Sequence, residues 1–127
     1  MQYMLLIAAN EAEEQQIPDA EMMQVIAAYG AYSEALMQAG VLVSGERLRE
    51  STSATTVRVR EGKTMVLDGP YAEAKEQLGG FYIIDVADLD AAMHWAARCP
   101  GAAYGSIEVR PVWPSENMPG DECTAAA

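Results

Sequence analysis

Gln2 to Ala8 reads QYMLLIA, and both of its alternating faces are apolar: Tyr3, Leu5 and Ile7 on one side, Met4, Leu6 and Ala8 on the other. A strand with that pattern is covered on both faces, unlike a strand with one wet side. Phe81 to Ala87, FYIIDVA, repeats the pattern, so whatever fold holds these two strands must supply a layer above and a layer below them.

Working outward, residues 18 to 39 carry Met22, Val25, Ile26, Tyr29, Tyr32 and Leu36 at three- and four-residue spacing, with Pro18 suited to the first turn and Gly40 to the stop. VLVSGERL, 41 to 48, reads as a strand interrupted by Gly45, which marks a bulge or a close approach to the backbone. Arg49 to Ser53 reads as a loop. Thr55 to Arg60, the turn Glu61-Gly62 and residues 64 to 67 make a hairpin with one solvated face. Asp88 is placed to cap a second helix over Leu89 to Arg98, closed by Pro100, and SIEVRPV, 106 to 112, is the last strand. The order is β-α-β, hairpin and loop, β-α-β. That is an α+β, ferredoxin-like split βαβ plan with an inserted hairpin. One domain spans residues 1 to 112, and 113 to 127 lack periodicity and read as a loosely held tail.

Two helices cover one face of such a sheet. The other face needs a cover: a twofold partner placing its own sheet there, which makes the chain a homodimer through the sheet face, is the simplest answer, ahead of a monomer closed by its own hairpin and tail.

Composition narrows the function. Acids outnumber bases 19 to 8 for a net charge of −11, which argues against nucleic acid, whose phosphates need Lys and Arg. No run is apolar enough to span a bilayer and the first residues lack a basic n-region, so the expected place is the cytoplasm, away from membranes. Cys99 and Cys123 read as free thiols, and with His94 the single histidine a dedicated zinc site has too few ligands; composition leaves carboxylate-bound Mg or Ca open, and no metal or other cofactor is assigned.

DGPYAEAKEQLGG, 68 to 80, is longer and more polar than a connection needs. On one reading it is a solvated turn of helix, with Glu73, Lys75 and Glu76 in water and Leu78 anchoring its end. On the other, Asp68, Tyr71, Lys75 and Gln77 converge at a cleft edge and offer donors and acceptors to a small ligand. Tyr29, Ser44 and Tyr82 complete the ligand-binding candidates, and Asp68 is the candidate base, a role that requires a partly desolvated pocket.

DGPYAEAKEQLGGFYIIDV resembles the signature of the DGPF branch of the YCII-related family, with Tyr71 in place of the usual Phe; YMLLI, AGVLVSGERL, TTVRVREGK, DLDAAMHWAARCP and SIEVRPV extend the match. The resemblance implies a dimeric α+β barrel and no particular reaction. It also implies a regulatory setting, because many such proteins are encoded beside extracytoplasmic-function sigma factors. YciI-like relatives and a chlorinated-hydroquinone dehydrochlorinase are associated with a His and Asp pair, but Tyr29 and Cys99 fall at those positions here. The leading expectation is thus a dimeric domain that binds a small molecule or a regulatory protein. The alternative is an enzyme of lyase- or isomerase-like acid/base chemistry, with Asp68 as base and Tyr71, Lys75 and Tyr82 as polar partners.

Other residues weigh toward structure. His94 falls on the outer face of the second helix, opposite a stripe of Leu89, Ala92, Met93 and Ala96. Cys99 follows a helix C-terminus, where carbonyl oxygens disfavour a thiolate. Arg58 and Arg60 share a solvated hairpin face, and the methionines of the first helix read as adaptable core.

Overall fold

The computed structural model describes residues 1–70 and 74–114. In chain order the elements are β1 (Gln2–Ala9), α1 (Glu11–Glu14), α2 (Asp19–Gln38), β2 (Leu42–Arg47), β3 (Thr55–Arg60), β4 (Lys63–Asp68), β5 (Gln77–Asp85), α3 (Leu89–Arg98) and β6 (Ser106–Pro111). Strand β1 lies antiparallel to both β5 and β6, and β2 pairs antiparallel with β5, giving a four-stranded sheet of order β2-β5-β1-β6. The β3–β4 hairpin is a separate two-stranded sheet. The architecture is α+β with antiparallel sheets. No helix among the described residues is long and apolar enough to cross a membrane.

The core forms where one face of the sheet meets α2 and α3. Tyr3 and Leu5 of β1 and Ile84 of β5 join Tyr32 and Leu36 of α2, Ala92 and Ala96 of α3, Val86 and Cys99 in one buried cluster. Leu5, Leu36 and Ile84 are its fully buried large side chains, each contributing about 1.5–3 kcal/mol by leaving water. Tyr32 enters this apolar layer because its hydroxyl donates to the Trp95 carbonyl at 2.7 Å, and its ring meets Tyr82 edge to face at 5.4 Å. Asp88 caps α3 by accepting from the Ala91 N–H at 2.9 Å. Arg98 in the last turn suits the helix dipole and lies 4.3 Å from the centre of the Trp95 ring.

Met4 pairs with Ile83 and Leu6 with Phe81 across the opposite face of the sheet. These four are half-buried and stand outside the core cluster.

Several expectations are corrected. Helix α1 was not foreseen. The Asn10 side chain caps it, accepting from the Glu13 N–H at 3.1 Å. Pro18 is the N-cap of α2 and not part of its first turn. Strand β5 starts at Gln77, so the last four residues read as loop are ladder, with a register shift opposite Ile7 and Ala8. The α3 stripe is narrower than its sequence: Ala92 and Ala96 are buried, whereas Leu89 and Met93 are each 46% exposed. The hairpin turns at Glu61 and Gly62, both at positive φ (53° and 77°), which matches the twist of paired strands. The face expected to be covered is the open one, since Val57, Val59 and Val66 are all exposed, whereas Arg58 on the face expected to be solvated is half-buried. Met23 and Met37 are exposed and Met22 borders a cavity, so the helix methionines are not core.

Candidate functional site

The apolar stripe of α2 changes partner half-way along. Tyr32 and Leu36 seat on the sheet, but Met22, Val25, Ile26 and Tyr29, one to three turns earlier, border a cavity of about 520 Å³. The opposing wall is made of Ile7, Ala9, Gly45, Gly79, Gly80 and Tyr82. Small residues on the sheet therefore face large apolar ones on the helix across open space. The volume falls in the range of pockets that bury a small organic molecule.

Two of those glycines are steric requirements. A Cβ at Gly80 would stand 2.8 Å from the Glu46 carbonyl oxygen, so only glycine lets β2 approach β5 there. A Cβ at Gly45 would stand 2.7 Å from Cδ1 of Tyr82, whose ring lies against the bare backbone. Held in this way, the Tyr82 hydroxyl shares a 2.7 Å hydrogen bond with Ser33 Oγ of α2. The Gly45 interruption is thus a close approach, and the register shift of β2 falls just before it, between Leu42 and Ser44.

Charged groups enter from α1 and the end of β2. Helix α1 is fixed at its first residue, where the Glu11 N–H donates to Gln77 Oε1 at 2.9 Å, and Gln77 Nε2 in turn donates to the Ala74 carbonyl at 2.6 Å. The Glu11 carboxylate accepts from the Ser51 N–H and hydroxyl, both at 2.8 Å. Glu14, one turn on, borders the cavity. Burial pushes its carboxyl above the usual range and the Glu11 charge adds to this, while Arg47 pulls in the opposite direction.

Tyr29 is the other polar group of the α2 wall. Its hydroxyl accepts from Cys99 Sγ at 3.9 Å and fits against Gly101, where a Cβ would stand 2.5 Å away. Burial, then the nearby Cys99 and Tyr104, raises this phenol far above its ordinary value, so it serves as a hydrogen-bonding group and not as an acid near neutrality. Cys99 is buried, and burial raises its thiol as well. Tyr104 borders the same cavity. The site offers an apolar wall, phenol and serine hydroxyls, and one carboxyl group whose proton is held more tightly than usual. Such a set can bind a small organic molecule and exchange a proton with it.

The structure brings together only part of the set expected from sequence. Tyr29 and Tyr82 border the cavity. Gln77 lies behind it, tying β5 to α1. Ser44 pairs with Ile83, one of the residues on the opposite sheet face. Asp68 ends β4 opposite Thr55 in the separate hairpin, exposed, and Lys75 is exposed beside Gln77. Tyr71 lies outside the described residues, as do Glu73 and Cys123. His94 is on the exposed side of α3. Glu11, Glu14, Ser33, Arg47 and Tyr104 were missed. For α1 a signal existed, since Asn10 followed three residues later by Glu13 is a helix-start pattern.

The sequence model of the YCII-related domain matches residues 1–116. An uncharacterized protein of Rhizobium meliloti (strain 1021), R00369, is 40% identical over 114 residues, which is 88% of this chain and 92% of that protein. With the match running through every described strand and helix, the chain belongs to the YCII-related family.

Proposed function

We propose that this YCII-related protein is a homodimeric domain that binds a small organic molecule in the cavity between α2 and the sheet. The observation that carries the reading is the cavity itself, about 520 Å³ bordered by Met22, Val25, Ile26 and Ile7, with Glu14, Tyr29 and Tyr82 among its polar groups. The strand order β2-β5-β1-β6 with two long helices against one face supports the ferredoxin-like split βαβ plan. The half-buried row Met4, Leu6, Phe81 and Ile83 supports a second copy laid on the opposite face, which would complete a dimeric barrel. The DGPY stretch supports the DGPF branch, and in the cytoplasmic sigma-factor setting implied by that branch, ligand binding would act as a regulatory input.

One observation favours an enzymatic reading beside this one. Glu14 sits in the cavity with its carboxyl pushed upward by burial, the condition expected of a proton-transfer group, and it takes the base role that the sequence gave to Asp68. Native mass spectrometry of the tag-free protein tests the proposal. A dimer that retains a defined small mass, lost on partial denaturation, is the expected result. A monomer refutes the paired sheets. A protein that shifts with no member of a fragment library in ligand-detected NMR refutes the binding cavity.

A further inference from the structure

Charge is distributed unevenly around the cavity. Glu11, Glu14 and Glu50 border it with one arginine, Arg47, whereas Glu46 pairs with Phe81 and its side chain belongs to the opposite sheet face. Glu11 is already satisfied by the two Ser51 donors. Among the described residues no such bonds reach the Glu14 carboxylate or the Arg47 guanidinium. Arg47 is the cation that acts on Glu14, yet no ion pair joins them, so their charged atoms stand more than 4.0 Å apart.

The two groups stand on separate elements. Arg47 is held opposite Gly80 by the β2–β5 ladder, and Glu14 rides on a short helix pinned by Gln77. The two charges thus border one space from separate supports, beside the apolar side chains of Met22, Val25 and Ile26.

We propose that the cavity takes a small zwitterion with an apolar side chain, of the class of the apolar α-amino acids, its ammonium on Glu14 and its carboxylate on Arg47. The inference rests on the small-molecule reading of the cavity. A singly charged carboxylate would meet Arg47 but face the glutamates, and a simple amine would meet Glu14 while leaving Arg47 unanswered. A neutral ligand would desolvate both charges without replacing their water. A zwitterion answers both, and its ammonium offsets the burial and like-charge repulsion that hold the Glu14 proton.

The test uses the full chain at neutral pH with two families of probes, followed by isothermal titration calorimetry and amide chemical shifts. The first family is L-phenylalanine, phenethylamine, 3-phenylpropionate and 3-phenylpropan-1-ol; the second is the same set built on L-leucine. We expect an amino acid to bind about tenfold or more tightly than its amine or acid analogue, the effect of one charge-assisted contact. Glu14→Gln should abolish its advantage over the acid, and Arg47→Gln its advantage over the amine. Both variants should bind the alcohol as the parent does. If an amine, acid or alcohol binds as tightly as its amino acid, or the two variants fail to discriminate, the zwitterion class is refuted while the cavity reading stands. If no probe moves the amides of residues 22–33 or 79–82, both fall together.

Discussion

Gly45→Ala tests the reason for the glycine beneath Tyr82. The backbone there is not at positive φ, so alanine meets no conformational strain. Through the unfolded chain alone the change would stabilise by about 0.4–1 kcal/mol. Against this stands a methyl group 2.7 Å from Tyr82 Cδ1 and 3.1 Å from the Phe81 carbonyl oxygen. The ring is the movable partner. Displacing it costs about 1–3 kcal/mol as overpacking, and losing the 2.7 Å bond to Ser33 adds about 1 kcal/mol. Sterics win, and we expect a net destabilisation of about 1–3 kcal/mol. Urea unfolding should show it as a lower midpoint at unchanged slope, with protein concentration fixed because association would shift the apparent stability. In a Tyr82→Ala background the ring is absent, and the same substitution should be nearly neutral. An equal cost in both backgrounds would place the penalty on the Phe81 carbonyl and refute the reasoning.

Glu14→Gln should change how stability depends on pH. A carboxyl raised in the folded state binds its proton more tightly there than in the unfolded chain, so the parent loses stability as pH climbs from roughly 4.3, the ordinary glutamate value, through the raised one. The variant should lack that decline, and a parent that gains on the variant over this window in chemical denaturation would refute the raised carboxyl. Tyr32→Phe removes the donor to the Trp95 carbonyl and should cost about 1–2 kcal/mol in thermal unfolding; an unchanged midpoint would mean that the bond contributes nothing net. Leu36→Ala opens a hole in the fully buried centre and should cost about 2–5 kcal/mol, with a loss under 1 kcal/mol pointing to a collapsed site. Gln77→Ala should speed amide hydrogen exchange at Glu11–Gln15 by about fivefold, the equivalent of roughly 1 kcal/mol, and unchanged exchange would show that α1 is fixed without it.

What the sequence disclosed depended on how local each determinant is. The short unbroken apolar runs in QYMLLIA and FYII mark strands covered on both faces because adjacent residues on a strand point to opposite faces, and Asp88 reveals a helix start because its partner is Ala91. Residues 22–29 share the period of Tyr32 and Leu36, so sequence cannot show that half of the stripe packs while the other half borders a cavity. That difference comes from Ala9, Gly45, Gly79 and Gly80 on other strands. The candidate site was less legible still. Gln77 looked like a polar loop residue because its partner, the Glu11 N–H, lies 66 positions away. Asp68 stood out because it opens a stretch longer and more polar than a connection needs, whereas Glu14 sits in an acidic run, EAEE, that reads as ordinary solvated surface.

The β3–β4 hairpin has a practical side. Among the described residues it ladders only with itself, and its tip is the two residues Glu61 and Gly62. Chain inserted at that tip would stretch no strand of the four-stranded sheet and would leave the cavity walls in place. The tip is therefore the natural graft point for a fluorophore, an affinity peptide or a second protein, and the place to open the chain in a circular permutant.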